Sequence, residues 1–172
     1  EQGNLLYSGT PGTGGFSDVK RGDWYAPYVA FAKRYGIANG YLDGTFRPEQ
    51  PVSRAELVKL IASYFTVEGG TSPFPDVPAG HWAAEVVSFA AEEGWVSGYP
   101  DGTFRPDAPV SRAEAVKILN HALDRRAGER AAALPFTDVE KGHWACDEIR
   151  EAAVSHIYRK SGEGETWLTY ER

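Results

Sequence analysis

The chain has 172 residues, with 18 Lys plus Arg against 24 Asp plus Glu and a net charge of −6 at neutral pH. This acidic balance argues against a general binder of nucleic acid or anionic membrane, because neutralising phosphates takes a basic face. One cysteine, Cys146, leaves no internal disulfide and fits no metal motif, and no stretch is apolar for long enough to cross a bilayer.

The chain opens on Glu1 and has no Met, the pattern of a processed product or an excised fragment. Residues 1–15, rich in Gly, Ser, Thr and Pro, read as a flexible lead-in. A first helix is predicted to start near Asp23 as N-cap, to tolerate Pro27 in its first turn and to stop at Gly36. Tyr28, Val29, Phe31, Ala32 and Tyr35 recur at three- and four-residue spacing, which predicts one broad buried face. Residues 37–50 form a loop with a tight turn at Asp43-Gly44. Ser53-Arg-Ala-Glu56 is a capping box that opens a second helix through Leu57, Leu60, Ile61 and Tyr64.

The plan then returns. Residues 41–60 and 99–118 are identical at fifteen of twenty positions, and Phe16-Ser-Asp-Val19 recurs as Phe74-Pro-Asp-Val77 and Phe136-Thr-Asp-Val139, with Trp24, Trp82 and Trp144 following. The chain is therefore divided into repeat one (16–65), repeat two (74–123) and a shortened repeat three (136–172). Repeat two stops its first helix at Gly94, turns at Asp101-Gly102 and has its capping box at Ser111 and Glu114. Repeat three keeps its first helix to about Val154; residues 157–160, 161–164 and 166–170 then read as a short β-hairpin, with Trp167 as an apolar lid. Repeats that cannot bury their own apolar faces bury them on neighbours, which predicts one folded unit over 16–172 with sites at the seams. The expected core draws on Leu57, Leu60, Ile61, Val116, Ile118, Leu119, Val29, Val87 and Ile149.

Three ordered motifs carry a family resemblance: Phe-x-Asp-Val followed by Gly-His-Trp-Ala (Phe74, Asp76, Val77, Gly80 to Ala83), Gly-Tyr-x-Asp-Gly-Thr-Phe-Arg-Pro (Gly40 to Pro48 and Gly98 to Pro106), and Val-Ser-Arg-Ala-Glu. On these the chain resembles the S-layer homology family over about residues 16–155. The resemblance implies an all-α, pseudo-threefold bundle of helix-loop-helix repeats, here with a C-terminal hairpin. It implies a non-catalytic, extracellular module that binds secondary cell-wall polysaccharide, often bearing a pyruvyl ketal, and anchors exported proteins at a bacterial cell wall or S-layer. The chain departs from the pattern at Asp23, where the other repeats have His81 and His143, and in the missing second half of repeat three.

Arg54 and Arg112 each follow an N-cap, so each guanidinium projects beside a helix start whose free N–H groups and dipole favour an anion. A carboxylate would gain a bidentate partner there; the alternative is an internal pair with a carboxylate such as Asp18, Asp76 or Asp138. Trp24, Trp82 and Trp144 suit either the apolar face of a pyranose or the core. Asp18, Asp76 and Asp138 suit either sugar hydroxyls or local turns. Tyr41 and Tyr99, with Arg47 and Arg105, brace the loops, and the tyrosines together with Gly40 and Gly98 complete the ligand-binding set. Two capped Arg starts predict no more than two glycan units per chain.

The Asp-Gly turns lack the further oxygen ligands and closing Glu of a calcium loop, so no metal and no cofactor are expected. His81 and His143 are expected to cap helices or to make other hydrogen bonds, and Cys146 to be a small buried side chain. No Ser-His-Asp order or catalytic carboxylate pair appears, which leaves a wall-acting enzyme as the weakest reading. The alternative to a monomeric polysaccharide anchor is a structural module of surface-array self-assembly.

Overall fold

The computed structural model describes residues 12–125, 134, 136–161 and 164–170; most of the lead-in, most of the second linker and the Trp167 side chain lie outside the described residues. Among the described residues the architecture is all-α with one hairpin: α1 (Ala26–Arg34), α2 (Arg54–Ala62), α3 (Ala84–Glu92), α4 (Arg112–Ala122), α5 (Cys146–Ala153), β1 (His156–Ser161) and β2 (Gly164–Tyr170). Two compact units divide the chain, Glu1–Pro51 and Val52–Arg172, so the boundary falls inside repeat one, between its loop and its capping box.

In the first unit a small core joins Phe16, Val19, Ala26 and Val29, with Tyr25 and Phe46 against it. Helix α1 starts later than Asp23. Tyr25 occupies the N-cap without a side-chain bond, while the Asp23 carboxylate accepts the Lys20 N–H at 2.7 Å and its carbonyl accepts the Ala26 N–H. Asp23 thus closes the turn before the helix. The broad buried face also narrows, because Tyr28 and Tyr35 are exposed and only Ala26 and Val29 are fully covered. The aromatics pair with one another instead, Tyr28 edge-on to Trp24 and Tyr35 against Phe31 at 4.4 Å between centroids. Gly36, at φ 71°, ends the helix in the left-handed region that glycine tolerates without a Cβ penalty.

The second unit is built around α2, α3 and α4. Both capping boxes form: Ser53 Oγ accepts the Glu56 N–H while Glu56 reaches back to the Ser53 N–H, and Ser111 and Glu114 repeat the exchange. Helix α2 packs on α3 and α4, and α4 on α5. Val58, Ile61, Phe74, Val77, Val87, Phe104 and Ile118 lie in the core, with Leu57 packed against it. Leu119, expected inside, is 40% exposed, because Ile118 and Asn120 take the inward positions and Asn120 donates to the Glu148 carbonyl and carboxylate.

Repeats one and two interlock through backbone. Ser53 bridges Pro109, the Val110 N–H donates to the Val52 carbonyl, and the first two amides of α2, Arg54 and Ala55, donate to the carbonyls of Ala108 and Pro106 at 3.0 Å each. The orphan donors of a helix start are met here by the loop of the next repeat. At the far end β1 and β2 pair antiparallel from His156↔Tyr170 to Ser161↔Gly164, with an irregularity between Ile157 and Tyr158. Buried Glu151 of α5 holds this end through Arg125 at 3.0 Å and His156 at 3.2 Å.

Candidate functional site

The Asp-Gly loop is the first component of the site. In repeat two the Tyr99 N–H donates to the Thr103 carbonyl and the Gly102 N–H to the Tyr99 carbonyl, while Asp101 accepts the Thr103 amide and hydroxyl and the Arg105 guanidinium. Asp76 pins the loop from outside, its two oxygens accepting the Phe104 N–H at 2.9 Å and the Arg105 N–H at 2.7 Å. That fork holds Arg105 at φ 59°, a conformation unfavourable to a side-chain-bearing residue without such support. Gly98 has φ 71°, and a Cβ there would stand 2.5 Å from Phe74 Cε1 and 2.9 Å from the Thr103 carbonyl oxygen, so only glycine lets the loop close on Phe74.

Arg54 lies on this loop. It is only 5% exposed, its Nε donates to the Phe104 carbonyl at 2.9 Å and its Nη1 to Glu114 Oε1 at 2.9 Å. The guanidinium carbon is 4.7 Å from the Tyr99 ring centroid and 4.9 Å from that of Phe104, within cation–π range of both. The Tyr99 hydroxyl donates to the same Glu114 oxygen at 2.5 Å. Burial pushes the Tyr99 phenol above its ordinary range, and its bond to Glu114 adds to the rise. Burial works in the same upward direction on Glu114 but is outweighed by the bonds from Tyr99 and Ser111 and by the Arg54 charge, which keep the carboxylate ionised below its usual range.

A pocket of about 510 Å³ opens beside this cluster, wholly within the second unit. Its wall runs from Arg54 through Trp95, Gly98, Tyr99 and Pro100 to Glu114, Lys117 and Ile118 of α4, and Trp144 closes the far side from repeat three. Trp144 is 60% exposed, and Lys117 Nζ stands 5.8 Å from its ring centroid. Four of the sequence-predicted residues, Arg54, Gly98, Tyr99 and Trp144, therefore meet in one cavity, drawn from three repeats.

The others lie elsewhere. Asp76 supports the loop from behind, and Asp18 does the same in the first unit by accepting the Phe46 and Arg47 amides at 2.8 and 2.7 Å. Gly40 and Tyr41 shape that first loop; Gly40 is in the left-handed region at φ 73°, and the Arg47 guanidinium lies 3.9 Å over the Tyr41 ring. Trp24 is 80% exposed beside Tyr25 and Tyr28. Trp82 is exposed under Lys59, 5.2 Å from its ring centroid. Arg112 and Asp138 are exposed. Of the two readings of the Arg residues, internal pairing describes Arg54, with Glu114 as the partner in place of an Asp.

His81 and His143 accept the Ala83 and Ala145 amides on Nδ1 at 3.1 and 3.2 Å in the turn before each helix, while α3 and α5 themselves start without a side-chain cap bond. Cys146 is buried, with Arg150 Nη2 3.2 Å from its sulfur. Sequence reasoning passed over Lys117 and Trp95, and took Glu114 only as a cap. The signal for the lysine was available: Lys59 and Lys117 are repeat equivalents, and each sits over the Trp of the following repeat. A second depression of about 720 Å³, near His121 and Glu148, has its polar groups turned on each other; His121 Nδ1 lies 2.9 Å from the Gly94 carbonyl and Nε2 3.3 Å from Glu148.

Among the described residues no helix is long and apolar enough to cross a membrane. The family model described as S-layer homology domain matches residues 15–58 and 73–116. The chain is similar to "Cell surface glycoprotein 1" of Acetivibrio thermocellus, 34% identical over 165 residues, covering 89% of this chain and 7% of that protein. It is 34% identical over 157 residues to the "Cellulosome-anchoring protein" of the same organism, covering 87% of this chain and 35% of that protein. With an "S-layer protein" of Bacillus licheniformis it shares 41% identity over 116 residues, 62% of this chain and 13% of the relative. The chain thus corresponds to about a third or less of the length of these relatives.

Proposed function

Because this chain belongs to the S-layer homology domain family, we propose that it is a cell-surface anchoring module whose pocket takes one residue of a secondary cell-wall polysaccharide, held without catalysis. The supporting observation is the pocket's composition. Trp144 offers an exposed indole face to the apolar side of a pyranose, and Ser97, Tyr99 and Glu114 bring polar groups to a lining that is otherwise mainly apolar. A mainly apolar wall with a few polar groups suits the apolar face and hydroxyls of a sugar. The pyruvyl ketal that the family resemblance implies would give the sugar a carboxylate. The same reading makes the module a monomer in solution, for which the scattering mass is expected to be independent of concentration.

Co-sedimentation of the chain with purified wall sacculi, before and after acid removal of ketals, tests this reading. Trp144→Ala is expected to weaken co-sedimentation about tenfold, the loss of one stacking contact of about 1.5 kcal/mol, with an unchanged melting temperature because the indole is mostly exposed. Full binding by that variant would remove the pocket from consideration.

A further inference from the structure

Three charged side chains line the pocket: Arg54, Glu114 and Lys117. The first two cancel. Arg54 is 2.9 Å from Glu114, is covered by Tyr99 and Phe104, and has its Nε on a backbone carbonyl, so the pair presents no net charge to a ligand. Lys117 is different. Half-buried on α4 one turn beyond Glu114, it has no carboxylate within ion-pair distance among the described residues, and the partner it does have is the face of Trp144.

An ammonium beside an indole is a suitable receptor for a sugar acid. The ring of the sugar stacks on the exposed indole of Trp144 while its carboxylate meets the ammonium that stands over the same indole. The arrangement recurs where Lys59 lies over Trp82, one repeat earlier, so the pairing of this lysine with the next repeat's tryptophan is a property of the repeat and not of one surface accident.

We infer that Lys117 is the charge-reading residue of the pocket, the group that makes it select an anionic sugar over its neutral counterpart. The inference rests on the polysaccharide reading above and moves the anion from Arg54 and Arg112, the two expected anion sites, to the uncompensated cation one helical turn beyond Glu114. Because Lys117 is partly open to solvent, its attraction is screened by salt, and anionic-sugar binding weakens as ionic strength rises.

The test titrates wall polysaccharide fragments bearing pyruvyl ketals, and the same fragments after mild acid removal of the ketals, into the chain and into Lys117→Gln, Lys117→Arg and Trp144→Ala variants. Lys117→Gln is expected to lose about tenfold on the ketal-bearing fragments, as for one hydrogen bond to a charged group, and to lose their salt dependence. It should bind the stripped fragments as the parent does. Lys117→Arg, which keeps the charge, should stay within about threefold. If Lys117→Gln binds the ketal-bearing fragments like the parent while Trp144→Ala loses both kinds, the lysine inference is overturned and the pocket stands. Should neither variant lose binding, the pocket reading itself falls. Equal affinity of the parent for both kinds of fragment would also overturn the inference.

Discussion

Asp18, Asp76 and Asp138 occupy the same position in three repeats, and their surroundings give them unequal work. Asp76 holds two consecutive amides of the 99–105 loop and Asp18 two of the 41–47 loop, whereas Asp138, whose repeat has no such loop, is exposed. Asp76→Ala should therefore lower stability by about 1–2 kcal/mol, with Asp138→Ala within about 0.5 kcal/mol of the parent, as read by thermal melting. Acid should act on the same loops. The Thr45 hydroxyl, then the Arg47 guanidinium, hold Asp43 down to about 2, and the equivalent groups hold Asp101 lower still. Carboxylates with depressed folded-state values bind fewer protons than in the unfolded chain, so their contribution is complete above about pH 4 and is lost as pH falls towards 2. The melting temperature should fall over that window, and the Asp43→Asn, Asp101→Asn double variant should show a shallower fall. Both groups are exposed, so the difference should shrink in high salt.

At the scale of the element, legibility followed sequence distance. The capping boxes, the glycine helix stops and the hairpin are set by residues within a few positions of one another, and each formed as read. The fate of Arg54 was not readable, since its partners Phe104 and Glu114 are 50 and 60 residues away. Periodicity misjudged Tyr28, Tyr35 and Leu119 because it counts large apolar side chains as inward without knowing which face a neighbour will cover. Lys117 belongs to none of the motifs read from the sequence, and its partner Trp144 comes from the following repeat, so local reading passes over it. The two arginines, identical in local sequence, give the sharpest test. Arg54→Ala removes a cation and leaves Glu114 and the Phe104 carbonyl short of a donor in a largely covered site, a loss of about 3 kcal/mol. Arg112→Ala, on an exposed helix start, should cost less than about 0.5 kcal/mol by chemical denaturation.

For the molecule as a whole, the repeat in the sequence and the packing unit in space are out of phase. The sequence period begins at Phe16 and Phe74, yet the compact unit begins at Val52, and α2 finds its amide acceptors and its arginine's counter-ion on the repeat that follows. Coupling here runs forwards along the chain: α2 is finished by the loop of the repeat that follows it. A chain wired in this direction can be edited at its trailing end with little disturbance upstream. Exchanging the last loop and helix for a hairpin withdraws support only from α4's first turn, where Arg112 already lies in water. An edit in the 104–110 loop of repeat two would instead unseat a helix belonging to the repeat before it.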